Sequence, residues 1–130
     1  MGASSTLWRD AGAARPRGVV SLDSGALDVP LTMQKPPLPG IYDRAFGKDR
    51  NDWIAASPYH QLSRNAVPML LVCSSRRKDA CPQGRAMAEK AQALGVTMEV
   101  LPEDLSHGEV NRLLGAFSAY TEAVDAFVRK

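Results

Sequence analysis

The arrangement of apolar and polar residues along the chain predicts an α/β fold with parallel strands. Residues 67–74 form an unbroken apolar run of strand length, the pattern of a strand that is covered on both faces. Shorter strands are predicted over residues 18–23 and 96–101, and a helix over residues 83–94. A strand, a helix and a second strand in this order form a βαβ unit, so we expect a parallel sheet.

The C-terminal segment has the clearest helical periodicity. Apolar side chains recur along one stripe from residue 110 to residue 128, which predicts a single long amphipathic helix on one face of the sheet. About three strands with helices on both faces would leave two open edges, and covered parallel sheets normally continue at their edges. We therefore expect the C-terminal part of a larger doubly wound sheet.

A proline-rich stretch follows the first predicted strand. Residues 30–40 contain four of the nine prolines. Because proline lacks an N–H group and restricts the residue before it, we expect neither helix nor central strand here, but an extended crossover reaching residue 44. A loop of this length is either a cover over a functional site or an idle surface loop, and the sequence leaves both interpretations open.

Composition narrows the class of protein. The 130 residues are enough for one domain or part of a larger one, and 45% hydrophobic with 23% charged residues is the globular balance rather than that of a disordered chain. The net charge of +2 and an aromatic content of 6% give little reason to expect a nucleic-acid partner. No apolar run of membrane-spanning length and no secretory signal are present, which favours the cytoplasm as the default location. Nothing in the sequence implies a metal or an organic cofactor.

The two cysteines bear on that default location. Cys73 and Cys81 bracket one predicted loop. They are either a disulfide that stiffens this loop, which would indicate an oxidising compartment for the parent protein, or two idle thiols.

Two predicted loops carry the candidate chemistry. Asp79 follows the strand over residues 67–74, and His107 follows the strand over residues 96–101. Ligands of open α/β sheets bind beyond the carboxyl ends of the strands, and adjacent strands would bring these loops side by side. A carboxylate that accepts a hydrogen bond from Nδ1 of an imidazole fixes its tautomer, so we predict that Asp79 and His107 are a catalytic pair.

Other polar residues in these loops offer alternatives. Asp79 alone is typical of a turn and His107 alone of a surface or cap position. Asp104 is a rival acid, but it lies only three residues before His107 in the same loop. The basic run at residues 76–78 is typical of a solvated loop and would alternatively contact an anionic group of a substrate.

From residue 19 onward the chain resembles the C-terminal half of an α/β-hydrolase of the esterase or lipase type, near the carboxylesterase and arylformamidase-like branch. The residues that carry the resemblance are GVVSLDSG at 18–25, ASP at 56–58, VPMLLV at 67–72, Asp79 followed by Pro82, and LSHG at 105–108. The resemblance implies a serine-type carboxylic-ester hydrolase in which Asp79 orients His107 and His107 is the general base. It also implies a small-molecule ester substrate, with residues 30–44 forming part of a cap.

The sequence departs from that family in one essential respect. It contains neither a G-x-S-x-G nucleophile elbow nor an H-G-G oxyanion loop. Met1–Ser4 resemble the tail of an elbow whose serine would precede Met1, so we expect a C-terminal fragment of an acyl hydrolase that is inactive alone. The alternative is a non-catalytic α/β binding or interaction domain, whose exposed sheet edge at residues 18–23 would be a docking or self-association surface.

Overall fold

The computed structural model describes residues 7–130, so the expected elbow tail at Met1–Ser4 lies outside the described part of the chain. In chain order the elements are α1 (Leu7–Asp10), β1 (Val19–Leu22), α2 (Val29–Met33), α3 (Gly40–Phe46), α4 (Arg50–Ala56), α5 (Pro58–Gln61), β2 (Met69–Ser74), α6 (Ala80–Ala93), β3 (Met98–Glu103), α7 (His107–Arg112) and α8 (Ala119–Val128). Of the helices in this part of the chain, none has the length and apolar character needed to cross a bilayer.

The three strands form one parallel sheet in the order β1-β2-β3, which confirms the predicted α/β class. Met69 at the start of β2 lies opposite Val19 of β1 and Met98 of β3. Every residue of β2 is buried, whereas those of the two outer strands are mostly half-buried. The continuous apolar run at β2 therefore marks the central strand, as expected for a strand with helices on both sides.

Helices cover both faces of the sheet, as the sequence predicts. Successive side chains of a strand point to opposite faces. On one face Met69 and Leu71 belong to a core with Met87 and Ala91 of α6. On the other face β2 belongs to a core with residues of α7 and α8, namely Leu70, Val72, Val110, Tyr120 and Val124.

The prediction of one long C-terminal helix is wrong. The structure has two helices, α7 and α8, separated by residues 113–118. Gly115 lies in this connection with a φ of 99°, and the hydroxyl of Ser118 accepts a hydrogen bond from the backbone N–H of Thr121 to cap α8. Phe117, which the predicted stripe placed against the sheet, is fully exposed. The apolar spacing continued across a turn that only the glycine and serine indicate.

The prediction of an extended segment over residues 30–44 is wrong at both ends. Pro30 lies in the first turn of α2, where its missing N–H is harmless, and Asp28 caps that helix through Leu31 N–H. Gly40 begins α3, so that only residues 34–39 of the proline-rich stretch lie outside a helix.

Cys73 at the end of β2 and Cys81 in the first turn of α6 form a disulfide, with their Cα atoms 5.2 Å apart. Both side chains are buried, at 2% and 4% exposure. The bond closes a short loop around residues 74–80. Of the two interpretations of these cysteines, the structure has the bridge.

Candidate active site

Three polar side chains meet where the three parallel strands end. Asp23 directly follows β1, Arg77 lies in the loop after β2, and His107 is the first residue of α7 after β3. Because the three strands are parallel neighbours, their carboxyl ends lie side by side, and these residues come together there. The sequence predicts that the loops after β2 and β3 lie side by side, and in the structure Arg76 and Asp104 join these loops by an ion pair of 2.8 Å.

Asp23 is the buried centre of the site. Its side chain is fully buried, and its backbone has a φ of 58°, which is uncommon for a residue other than glycine. Oδ1 accepts the backbone N–H of Ser74 at 2.7 Å, and Oδ2 accepts Nη1 of Arg77 at 2.9 Å. Burial alone would raise the pKa of Asp23, but the hydrogen bonds from Ser74, Arg77 and His107 together hold it below the ordinary value of an aspartate.

The hydrogen bonds around His107 define its tautomer. Nδ1 lies 2.8 Å from Oδ2 of Asp23 and 3.3 Å from Nη1 of Arg77. A guanidinium has only donors and an ionised carboxylate only acceptors, so Nδ1 carries the hydrogen and donates it to Asp23. In the neutral ring the lone pair is then on Nε2. Within residues 7–130 Nε2 has no hydrogen-bond partner, and the His107 side chain is 62% exposed.

A capping box at the start of α7 fixes the position of His107, the first residue of that helix. Ser106 and Glu109 form a capping box, in which the Ser106 hydroxyl accepts the N–H of Glu109 and the Glu109 carboxylate accepts the N–H of Ser106. The backbone N–H and the hydroxyl of Ser106 lower the pKa of Glu109. The Ser74 hydroxyl also donates to the carbonyl of Leu105, which ties this loop to the end of β2.

The structure does not pair Asp79 with His107 in the way that the sequence predicts. Asp79 is the residue before α6, and its Oδ2 accepts Nη2 of Arg77 at 3.0 Å. The carboxylate that accepts the hydrogen bond of Nδ1 belongs to Asp23 instead. The physical reason is the intervening guanidinium of Arg77, which contacts both carboxylates.

Asp104 is not the partner of His107 either, because it pairs with Arg76. A second carboxylate, that of Glu109, lies 3.4 Å from the same guanidinium. Two of the three cations in the basic run thus contact carboxylates of the protein itself. This disfavours the alternative interpretation in which the basic run contacts an anionic group of a substrate.

Sequence reasoning missed Asp23 as a site residue. It lies in the GVVSLDSG segment that carries the family resemblance, but an aspartate before Ser-Gly is typical of a turn. The available indication was position: a charged residue directly after a strand of an open parallel sheet lies where ligands bind. Its burial and its contact with His107, 84 residues away, are tertiary features.

The second histidine lies in a structural cluster. The Ser57 hydroxyl donates to the carbonyl of Leu27, accepts the N–H of Val29, and lies 2.8 Å from Nδ1 of His60. The single hydroxyl hydrogen is used by Leu27, so Nδ1 of His60 is the donor in this contact. Ser57 is fully buried, and we infer that this pair stabilises the start of α5 rather than attacking a substrate.

The protein should lose stability in acid through Asp23. The pKa of Asp23 is lowered in the folded state, so its stabilising effect is complete above its unfolded value of about 4 and is lost as the pH falls through the folded value. Urea unfolding at pH 7, 5, 4 and 3 should show this loss, and Asp23→Asn should have a flatter profile below pH 4. Equal acid sensitivity of the two proteins would contradict the expectation.

No family model matches the sequence, and no curated protein or solved structure is significantly similar to it. In the part of the chain that the structure describes, no group of three or more His, Cys, Asp or Glu side chains is arranged to hold a metal ion.

Proposed function

We propose that this chain supplies the acid and base of a serine-type carboxylic-ester hydrolase with an α/β-hydrolase-like fold. The observation that carries the proposal is the 2.8 Å contact between Oδ2 of a buried Asp23 and Nδ1 of His107 at the carboxyl ends of the parallel strands, where the other ring nitrogen has no hydrogen-bond partner among residues 7–130. This is the orientation that a general base needs, because the carboxylate fixes the tautomer and Nε2 is left to accept a proton.

The proposed chemistry is acyl transfer. Nε2 of His107 takes the proton of a serine hydroxyl as that oxygen attacks the ester carbonyl, and it returns the proton to the leaving alcohol. In the second half, a water oxygen attacks the carbonyl carbon of the acyl-serine as His107 takes the proton of that water, and His107 gives the proton to the serine oxygen as the carboxylic acid leaves. Asp23 stays ionised and stabilises the imidazolium. Here Asp23 has the role that the family resemblance gave to Asp79.

The nucleophile belongs to sequence beyond these residues in this proposal. No G-x-S-x-G occurs in the chain, and the side chains described in residues 7–130 make no hydrogen bond to Nε2. We therefore expect no enzyme-level turnover of p-nitrophenyl acetate by the purified chain, because removal of the nucleophile from a triad costs about 10⁶-fold in kcat. The matched control is His107→Ala, which should hydrolyse the ester at the same background rate.

A longer translation product tests the proposal itself. The reading frame upstream of Met1 should encode a strand followed by G-x-S, and the protein that includes it should hydrolyse p-nitrophenyl esters. His107→Ala and Asp23→Asn should each lower kcat by about 10⁴-fold or more in that protein. An inert extended protein, or one that both substitutions leave active, would refute the hydrolase assignment.

One observation favours a second candidate, a non-catalytic α/β interaction domain. The outer side of β1 has no strand partner in the described chain, and β1 is only half-buried. An unpaired edge of this kind is a template for another chain, including a second copy. Assays of the extended protein distinguish the two functions, since an interaction domain would bind another chain at β1 and would hydrolyse no ester.

A further inference from the structure

We propose that Arg77 is a positioning residue for the Asp23–His107 pair, an inference that rests on the proposed function. Its Nη1 donates to both the backbone carbonyl and the carboxylate Oδ2 of Asp23, each at 2.9 Å. One nitrogen therefore joins the main chain and the side chain of the residue that orients His107. Two hydrogens on Nη1 are enough for both bonds, so neither acceptor competes with the other.

The conformation of Asp23 explains what this double contact does. A φ of 58° is a left-handed conformation that residues with a Cβ seldom adopt, and it persists only where surrounding contacts enforce it. The Ser74 N–H holds Oδ1, and Arg77 holds Oδ2 and the carbonyl. The carboxylate is thereby fixed where Nδ1 of His107 meets it.

Arg77 is itself held from the other side. Asp79 accepts Nη2, and the absence of a side chain at Gly25 leaves room for the guanidinium. A Cβ at Gly25 would collide with Arg77 and would lie 2.8 Å from Oδ2 of Asp79. Asp79 thus acts on the Asp23–His107 pair indirectly, through Arg77, whereas the sequence predicts that Asp79 contacts His107 directly.

The arrangement has an electrostatic consequence for His107. Nη1 of Arg77 lies 3.3 Å from Nδ1, so the guanidinium opposes a second positive charge on the ring, while Asp23 favours it. Among residues 7–130, these are the charged groups within hydrogen-bond distance of Nδ1, one from the end of β1 and one from the loop after β2. Two carboxylates of its own segment, those of Asp104 and Glu109, pair with Arg76.

Two-bond proton–nitrogen NMR spectra of the full chain at about pH 9 test the inference, because they show which nitrogen of a neutral imidazole carries the hydrogen. In the unchanged chain the hydrogen of His107 should lie on Nδ1, where Asp23 accepts it. Asp23→Asn should move most of it to Nε2, and Arg77→Met should move part of it. Arg77→Lys retains the charge but not the fork of donors, so its spectrum should lie between those of the unchanged chain and Arg77→Met. The tautomer of His60, the internal control, should be the same in each variant.

A second variant covers the case in which Arg77→Met fails to fold. Gly25→Ala displaces the guanidinium without deleting a charge and should move part of the His107 hydrogen to Nε2, as Arg77→Met does. If Asp23→Asn leaves the His107 tautomer unchanged, the pair itself is absent and the proposed function fails. If Asp23→Asn changes the tautomer but neither Arg77→Met nor Gly25→Ala does, or if His60 changes equally, the role of Arg77 is overturned and the proposed function is not.

Discussion

Asp23→Ala should lower the free energy of unfolding by about 3–5 kcal/mol, a large part of the 5–15 kcal/mol typical of a domain. The substitution removes a fully buried carboxylate that accepts hydrogen bonds from Ser74, Arg77 and His107. It leaves the N–H of buried Ser74 without that partner and the half-buried Arg77 with Asp79 as its remaining carboxylate. Removing one member of a buried ion pair is costly because the other charge stays desolvated.

Two further substitutions separate the backbone from the side chain. Asp23→Gly should be less damaging than Asp23→Ala by about 1 kcal/mol, because glycine adopts a φ of 58° without a steric penalty. Asp23→Asn should be the mildest of the three, since asparagine keeps the shape and tolerates this conformation. Urea unfolding followed by circular dichroism measures all three.

The matched control for this series is Asp104→Ala. Asp104 also pairs with an arginine, but its side chain is 85% exposed, so its loss should change stability by no more than about 0.5 kcal/mol. A similarly small effect of Asp23→Ala would mean that the carboxylate is not at the buried centre of the site.

Reduction of the Cys73–Cys81 bond should lower the free energy of unfolding by about 2.5 kcal/mol, because a bridge between residues 8 apart in sequence lowers the entropy of the unfolded chain by this amount. Cys73→Ala with Cys81→Ala should cost more than reduction, because both sulfurs are buried and their removal also leaves a cavity.

Unfolding with and without a reducing agent measures the effect, and thiol titration of the denatured chain without reductant checks the bond. We expect no reactive thiols before reduction and two after it. The double alanine variant is the control, because a reducing agent should not change its stability. Two reactive thiols in the unreduced protein would contradict the structure. The bond itself favours an oxidising compartment for the protein.

The sheet was predictable from sequence because its central strand is apolar from Met69 to Cys73. Burial on both faces of β2 requires this pattern. Gly95, with a φ of 74°, marks the end of α6 and supports the βαβ prediction. The C-terminal helix was not predictable in the same way. Its apolar periodicity spans residues 113–118, where local turn chemistry overrides the spacing.

The site was half predictable. Strand ends in a parallel sheet locate His107 and the loop that carries Asp79 without any tertiary information. The sequence does not show which aspartate is the acid. Arg77 contacts the carboxylates of both Asp23 and Asp79, and only the folded structure shows that the carboxylate of Asp23 also contacts the His107 ring. The residue type alone does not distinguish a buried aspartate from an aspartate that forms a turn.

The bridge between Cys73 and Cys81 also has a topological consequence. It makes the segment between them a covalently closed ring that contains Arg76 and Lys78. Trypsin cleaves the peptide bond that follows each of these residues. A nick there would separate the main chain into a piece bearing Asp23 and a piece bearing His107. The two pieces would nevertheless remain one molecule, joined through sulfur, and would come apart only when a reductant is added.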